Sequence, residues 1–422
     1  MIMQTKKSNF VLTVLICLIF VFMMPGCQNT SEPVMEQPKT SEDTANVDVE
    51  EELSVTTEKI GLIGFLSGGA LLWGMDQQQA IGMWVNEVNI AGGLEIDGKR
   101  VLLETVAYDD FSNTAGGLDA MQKIILQDEV RYVFGPILSS GTIAVKDIVN
   151  ENKVLQFSTC TSDIVHKPEY PYQFVYYQAG YEKAYVVSKY LDEKHPNVKK
   201  MVFVTLSDET KAELDLVTSM VPNENRELVD TVLYDRGTTD FYPVLQKALA
   251  SEPDLILLGS LPTSDCASLA KQARELGYQG LMGATVGGLD MDAFYQISGD
   301  AGIGFFNTSL PSGEYAPAEY EEFVAKFRKQ NGRYDTFAGT IYVMTQVLEQ
   351  AILEANSLDT DAVRAVLDSG KEFNTIIGPV KFGGESYYGR NSHLIFNVGV
   401  GVLQAVDGVG VEVCDGAYSV EY

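Results

Sequence analysis

Histidine is scarce. His166, His195 and His393 are the only three in 422 residues, and no two stand at a helical spacing that would make a chelating face. Each reads as a surface residue. The five cysteines, Cys17, Cys27, Cys160, Cys266 and Cys414, are scattered, with no CxxC pair and no histidine at zinc-ligand spacing, which argues against a structural zinc site. Cys160, Cys266 and Cys414 read as small buried apolar residues. Positive charge is also short, with 30 Lys and Arg against 58 Asp and Glu and a net charge of -28. Such a surface does not track phosphates, so nucleic acid is not an expected partner, and it opposes broad docking to anionic lipid. Gly61, Gly64 and Gly68 follow a strand-like run without G-x-G-x-x-G spacing, and no phosphate loop or GxSxG elbow is present. Neither an enzyme, a cofactor nor a metal is expected.

What the chain does have is 45% hydrophobic residues, 38 Gly and 14 Pro, too apolar for disorder and too long for one compact core. Near the start, Lys6 and Lys7 precede an apolar run over residues 10–24, long enough for a signal segment but short for a membrane span. It ends at Met24-Pro25-Gly26-Cys27, which resembles the site where bacterial lipoproteins are cleaved and acylated. Residues 1–26 are expected to be a signal peptide and Cys27 to carry acyl chains, each buried CH₂ adding about 0.8 kcal/mol of membrane affinity. A plain signal anchor with an unmodified cysteine is the alternative. Residues 27–58, rich in Ser, Thr, Glu, Asp and Pro, read as a disordered acidic tether.

From Lys59 onward short apolar runs alternate with amphipathic stretches, the pattern of βαβ units around parallel sheets. Residues 60–65, 101–108, 131–134 and 154–157 read as strands, with helices over 77–90, 114–127 and 139–150. A second βα series begins near Tyr181, and after residue 307 come three helices and then strand-like segments over 394–403 and 409–413. The fold class is α/β, two doubly wound parallel-sheet lobes joined by a hinge. The expected division is 59–178 plus 309–392 for lobe 1 and 179–308 plus 393–422 for lobe 2. Ligands of such sheets lie beyond the carboxyl ends of the strands, where helix N-termini can hold an anionic head without Lys or Arg.

Several stretches, taken in order, resemble the branched-chain amino acid type of periplasmic binding protein, the type I solute receptor of an ABC importer. They are residues 60–68 (IGLIGFLSG), Trp73-Gly74, 88–93 (VNIAGG), Tyr108-Asp109-Asp110, 134–140 (FGPILSS), 157–162 (FSTCTS), Thr239-Asp240-Phe241 and 272–277 (QARELG). The resemblance implies a site in which Ser139, with Ser140 beside it, and Thr161 donate to a ligand carboxylate. It implies too that the carbonyl near Cys160 accepts from an ammonium, and that Trp73 and Tyr334 pack on the ligand body. In lobe 2, Thr210 stands where such receptors carry an aromatic, Leu261 where a Tyr is common, and Thr285 where an acidic residue pairs with the ammonium. An acid lacking the ammonium, an amide or an aromatic acid therefore fits the residues as well as an amino acid does. Asp208, Glu209 and Asp265 are the other acids near this position, while Asp109 and Asp110 read as cap and loop residues. The implied partners are a small carboxylate-bearing ligand, ABC permease subunits and the membrane through the lipid anchor, which places the protein outside the cytoplasm. A ligand-sensing lipoprotein working with a signalling receptor is the alternative.

Overall fold

Apolar runs bounded by turn residues become buried strands, and the stretches between them become helices. The computed structural model describes residues 54–420, apart from 69, 161, 209 and 210. The expected signal segment, Cys27, Thr161, Glu209 and Thr210 lie outside the described residues.

The chain begins with β1 (Ser54–Gly64), α1 (Leu71–Ile90), β2 (Leu94–Ile96), β3 (Lys99–Asp109), α2 (Thr114–Leu126), β4 (Tyr132–Phe134), α3 (Ser139–Glu151), β5 (Leu155–Ser158) and β6 (Gln173–Val175). It continues with α4 (Gly180–Lys194), β7 (Lys200–Leu206), α5 (Lys211–Met220), β8 (Glu227–Tyr234), α6 (Tyr242–Leu249), β9 (Leu255–Leu258), α7 (Thr263–Glu275), β10 (Leu281–Ala284), α8 (Met291–Ser298) and β11 (Phe306–Ser309). The last part holds α9 (Ala318–Asn331), α10 (Thr336–Ala355), α11 (Thr360–Leu367), β12 (Glu372–Thr375), β13 (Gly378–Gly383), α12 (Glu385–Tyr388), β14 (His393–Ile395), β15 (Val398–Val406) and β16 (Val409–Tyr418).

Among the described residues the strands form two sheets, ordered β12-β13-β14-β6-β5-β4-β1-β3-β2 and β16-β15-β11-β10-β9-β7-β8. The pairs from β3 through β6 to β14 are parallel, as are those from β8 to β11. Strands such as β4 and β9 are buried along their whole length, which is why they read as unbroken apolar runs. Strand order reverses at β1 in one sheet and at β7 in the other, and each reversal opens a crevice beyond the carboxyl ends.

Four expectations need correction. Residues 54–58, assigned to the tether, pair with residues 99–103 as the start of β1, and Glu58 is buried against Arg131. The segment 394–403 is not one strand: β14 joins the first sheet and β15 the second, so the last passage between sheets follows Ile395 rather than Ser392. Helix α1 starts at Leu71, not Gln77, because Gly74 lets its first turn approach the end of β1; a Cβ there would lie 2.0 Å from the Phe65 carbonyl. Finally, His166 and His393 are buried rather than exposed. His393 Nε2 is 2.7 Å from the Glu182 carboxylate, which also accepts the Ala179 N–H (3.0 Å). His166 Nδ1 lies 2.9 Å from Ser392 Oγ, its ring stacked on Tyr388, and burial among cations pulls its pKa well below the usual histidine range. His166 lies in the loop between β5 and β6 and His393 opens β14, all on the first sheet, while at the passages that join the sheets the Gln178 amide donates to the Ser309 carbonyl (3.2 Å). Such short segments carry no periodic signal, so the burial of the histidines is invisible in sequence.

Candidate functional site

The strand ends of both sheets open on one cavity of about 330 Å³. From the first sheet come Phe65 after β1, Ile137 and Leu138 after β4, and Thr159 after β5; from the second come Leu206 at the end of β7, Arg236 after β8, Ser260 after β9 and Val286 after β10. This volume is at the small end of the range for small-molecule sites, about 300–1,000 Å³.

Three helices begin at the cavity wall. Their N-cap residues, Ala70 of α1, Leu138 of α3 and Pro262 of α7, all line it, and no described side chain caps any of the three. By contrast Asn113, Asp290, Asp335 and Asp359 cap α2, α8, α10 and α11 with their side chains. A helix beginning carries about half a positive charge and N–H groups without intrahelical acceptors. Three such ends converging from two sheets make a cavity electropositive without requiring a net positive protein.

Ser139 and Ser140, the first two residues of α3, line the cavity. Ser140 Oγ lies 2.8 Å from Thr114 Oγ1, while Thr159 Oγ1 donates to the Ile137 carbonyl (2.9 Å) and braces the loop before α3. Cys160 is fully buried behind this wall, its Sγ 3.9 Å from the Ser139 carbonyl, and does not line the cavity. An aromatic wall is built by Trp73 in the first turn of α1, with Phe65 at 6.3 Å and Phe337 at 6.2 Å between ring centroids, and Tyr177 at 5.6 Å from Phe337. The Trp73 indole donates to the Gly288 carbonyl across the cleft (3.3 Å).

Like Cys160, two more of the expected site residues are placed elsewhere. Tyr334 is half-buried with its hydroxyl 2.7 Å from that of Tyr320, facing a separate cavity, and Phe337 takes the cleft position. Asp335 caps α10, so the chain turns into the helix there and the second residue of the helix, Phe337, is the one that reaches the cleft. Thr285 is fully buried, its Oγ1 donating to the Leu258 carbonyl (3.4 Å), and the next residue, Val286, lines the cavity.

Lys183 and Arg236 were not among the expected contacts, whereas Asp208 was one of the three acids noted near this position. Lys183, in the first turn of α4, lines the cavity with its Nζ 3.2 Å from Ser260 Oγ and over the Tyr177 ring at 5.3 Å. Asp208 is the one carboxylate among the described lining residues, and it takes a two-point hydrogen bond from Arg236 (3.0 and 3.1 Å). Asp265 instead accepts from the Tyr234 hydroxyl (2.9 Å). Nothing in the sequence pattern marks Lys183 or Arg236, since each reaches the cavity only through sheet packing.

Asp109 and Asp110 organise the rim. Asp109 accepts from the Leu66 and Phe111 N–H groups (3.2 and 2.8 Å), and Asp110 from that of Ser112 (2.8 Å). Burial raises the Asp110 carboxyl to about 6. A raised carboxyl stabilises the fold below its unfolded pKa of about 3.9 and loses that contribution as pH rises through about 6. Asp110→Asn keeps the Ser112 acceptor and removes the titration. Urea denaturation should show the variant gaining on wild type by about 2 kcal/mol between pH 4 and pH 7.5; a pH-independent difference would contradict the assignment.

A sequence model of the periplasmic binding protein family matches residues 57–400. The chain is 27% identical over 333 residues to a Leu/Ile/Val-binding protein of Rhizobium johnstonii, covering 77% of this chain and 87% of that one. It is 24% identical to the leucine-specific-binding protein of Salmonella typhimurium, over 77% and 86% of the two chains. Among solved structures it is similar to the branched-chain amino acid transporter substrate-binding protein LivJ of Streptococcus pneumoniae in complex with isoleucine. There the TM-score is 0.72 and the identity 22%, with 86% of this chain and 99% of that one covered. A solute-binding protein of an ABC transporter from Rhodopseudomonas palustris, in complex with 3,4-dihydroxybenzoic acid, matches with TM-score 0.74 and 20% identity over 86% and 97% of the chains.

Proposed function

Because the chain belongs to the periplasmic binding protein family, with the sequence model matching residues 57–400, we propose that it is the solute receptor of an ABC importer for a small carboxylic acid. Acyl chains on Cys27 tether it outside the cytoplasm, and the lobes close on the ligand before the permease receives it. One observation carries the ligand class: the uncapped beginnings of α1, α3 and α7 converge on the cavity. A carboxylate there accepts from main-chain N–H groups and the Ser139 hydroxyl in a site shielded from water, where such charge-assisted bonds are strong.

The remaining wall favours an acid without an ammonium. A buried ammonium requires a carboxylate or several acceptors. Thr285 stands where the resemblance puts an acidic residue in such receptors, its neighbour Val286 lines the second lobe, and Asp208 is engaged by Arg236. The four aromatics on the first-lobe side suit a flat or branched apolar body. Relatives take either kind, isoleucine in one and a dihydroxybenzoate in the other. Calorimetry with 4-hydroxybenzoate, 4-methylpentanoate, leucine and leucinamide separates the cases. The two acids are expected to bind at least tenfold more tightly than leucine, with leucinamide inert. Tight binding of the amide would refute carboxylate recognition, and tight binding of leucine would restore the amino acid.

A further inference from the structure

Outside the cavity, a guanidinium bridges the two lobes. Arg333, between α9 and α10 on the first lobe, is held there by Asp76 of α1 and by Asp335, the α10 cap (Nη2 to Oδ2 2.5 Å). Its Nε donates across the cleft to Asp290 Oδ2 (2.8 Å), the cap of α8 on the second lobe. The side chains of Asp76, Asp335 and Asp290 are 0%, 1% and 9% exposed, and that of Arg333 is 17% exposed. None of the four lines the ligand cavity. Beside them Gly288 N–H donates to Thr336 Oγ1 (3.1 Å) and the Gly288 carbonyl accepts from Trp73, so residues 288–290 are the stretch of the second lobe drawn onto the first.

We propose that Arg333 and Asp290 form an interlobe latch, a pair that sets how readily the lobes close whatever ligand lies between them. Asp335 and Asp76 already hold Arg333 on its own lobe, and since burial beside Asp335 pushes the Asp76 carboxyl far up, Asp335 alone balances the guanidinium charge there, so the bond to Asp290 is a contact between bodies rather than part of either body's fold. The planar fork of a guanidinium can serve three carboxylates at once, which an ammonium on a lysine stem does less well. When the lobes part, Asp290 regains water and still caps α8 through Oδ1 (Ala293 N–H, 2.9 Å), so opening leaves no buried charge stranded on the second lobe. Observed affinity scales with the fraction of protein in the closed form, so a latch multiplies the affinity for every ligand by one common factor.

The test is Asp290→Asn. It keeps the α8 cap through its amide oxygen and turns an amide nitrogen toward Arg333, so helix and fold are retained. Asp292→Asn, on the same turn and bonded to Gln296 (3.2 Å), is the control. Small-angle scattering of the ligand-free protein should show a larger radius of gyration for Asp290→Asn than for wild type, with Arg333→Lys intermediate and Asp292→Asn unchanged. Identical curves for wild type and Asp290→Asn overturn the latch. The effect on affinity rests on the solute-receptor reading: dissociation constants for the acids that bind should rise about tenfold, by the same factor for each. A factor that differs among ligands overturns it as well, since it would place Asp290 at the ligand rather than between the lobes. Should no acid bind at all, scattering alone still decides the latch, and the failure falls on the ligand assignment.

Discussion

Ser139→Asp should abolish ligand binding while leaving the protein at least as stable as before. Ser139 is the first residue of α3, and the cap residue before it, Leu138, offers no side-chain acceptor. A carboxylate introduced there interacts with the helix dipole and the open N–H groups, adding about 0.3–1 kcal/mol to the fold. In the cavity it occupies the place proposed for the ligand carboxylate and repels it. Two like charges about 4 Å apart at an effective dielectric near 20 repel by roughly 4 kcal/mol, so affinity for an acid should fall by at least about 100-fold. The melting temperature should hold or rise. Calorimetry and thermal denaturation on the same sample check both halves, and near-normal affinity would show that no anionic group is held at the start of α3.

Gly135→Ala should cost about 4 kcal/mol or more of stability. Gly135 follows β4 directly with φ at +98°, and a Cβ there would lie 1.9 Å from the Ile63 carbonyl oxygen on the neighbouring strand. Its own N–H donates to the Phe157 carbonyl (2.7 Å) and its carbonyl accepts from the Gln156 amide (2.8 Å), so the segment cannot move aside without losing both bonds. A left-handed backbone costs a non-glycine residue about 1–2 kcal/mol, and the collision with main chain adds the rest. Two controls isolate the terms. Gly304→Ala, with φ at +83° and nothing near the added carbon, should lose only the backbone term, about 1–2 kcal/mol. Gly82→Ala, inside α1 with open space, should gain about 0.5–1 kcal/mol. Chemical denaturation of the three variants orders them; a loss at Gly135 no larger than at Gly304 would mean that the β4 loop yields.

The glycine matters for the site because the five residues from Gly135 to Ser139 carry the chain from a buried strand to the helix start at the cavity. That junction was readable in the sequence: an apolar run, Gly-Pro, then two serines opening an amphipathic stretch. The βα order was readable for the same reason, since parallel strands buried on both faces leave continuous apolar runs. Where signals were short or aperiodic the reading failed. β6 is three residues, β2 is three, and β12, with polar residues, is an edge strand of the sheet. Tyr334 was chosen for its chemistry and neighbourhood, but an aromatic faces a cleft or a core according to where the helix begins, and Asp335 decided that for Phe337. The histidines were misread because burial beside Glu182 and Ser392 depends on residues 211 and 226 positions away.

Local chemistry thus settles a good deal of this protein before any folding partner is considered: which runs become strands, where α3 starts, and that Ala70, Leu138 and Pro262 bring no capping side chain to their helices. None of that states what those helix beginnings face. The convergence of α1, α3 and α7 on one cavity, the entry of Lys183, Arg236 and Phe337 into its wall, and the bond from Arg333 to Asp290 join segments tens to hundreds of residues apart. Such meetings are fixed by how two twisted sheets pack and where the chain passes between them, and a short sequence window carries no trace of either.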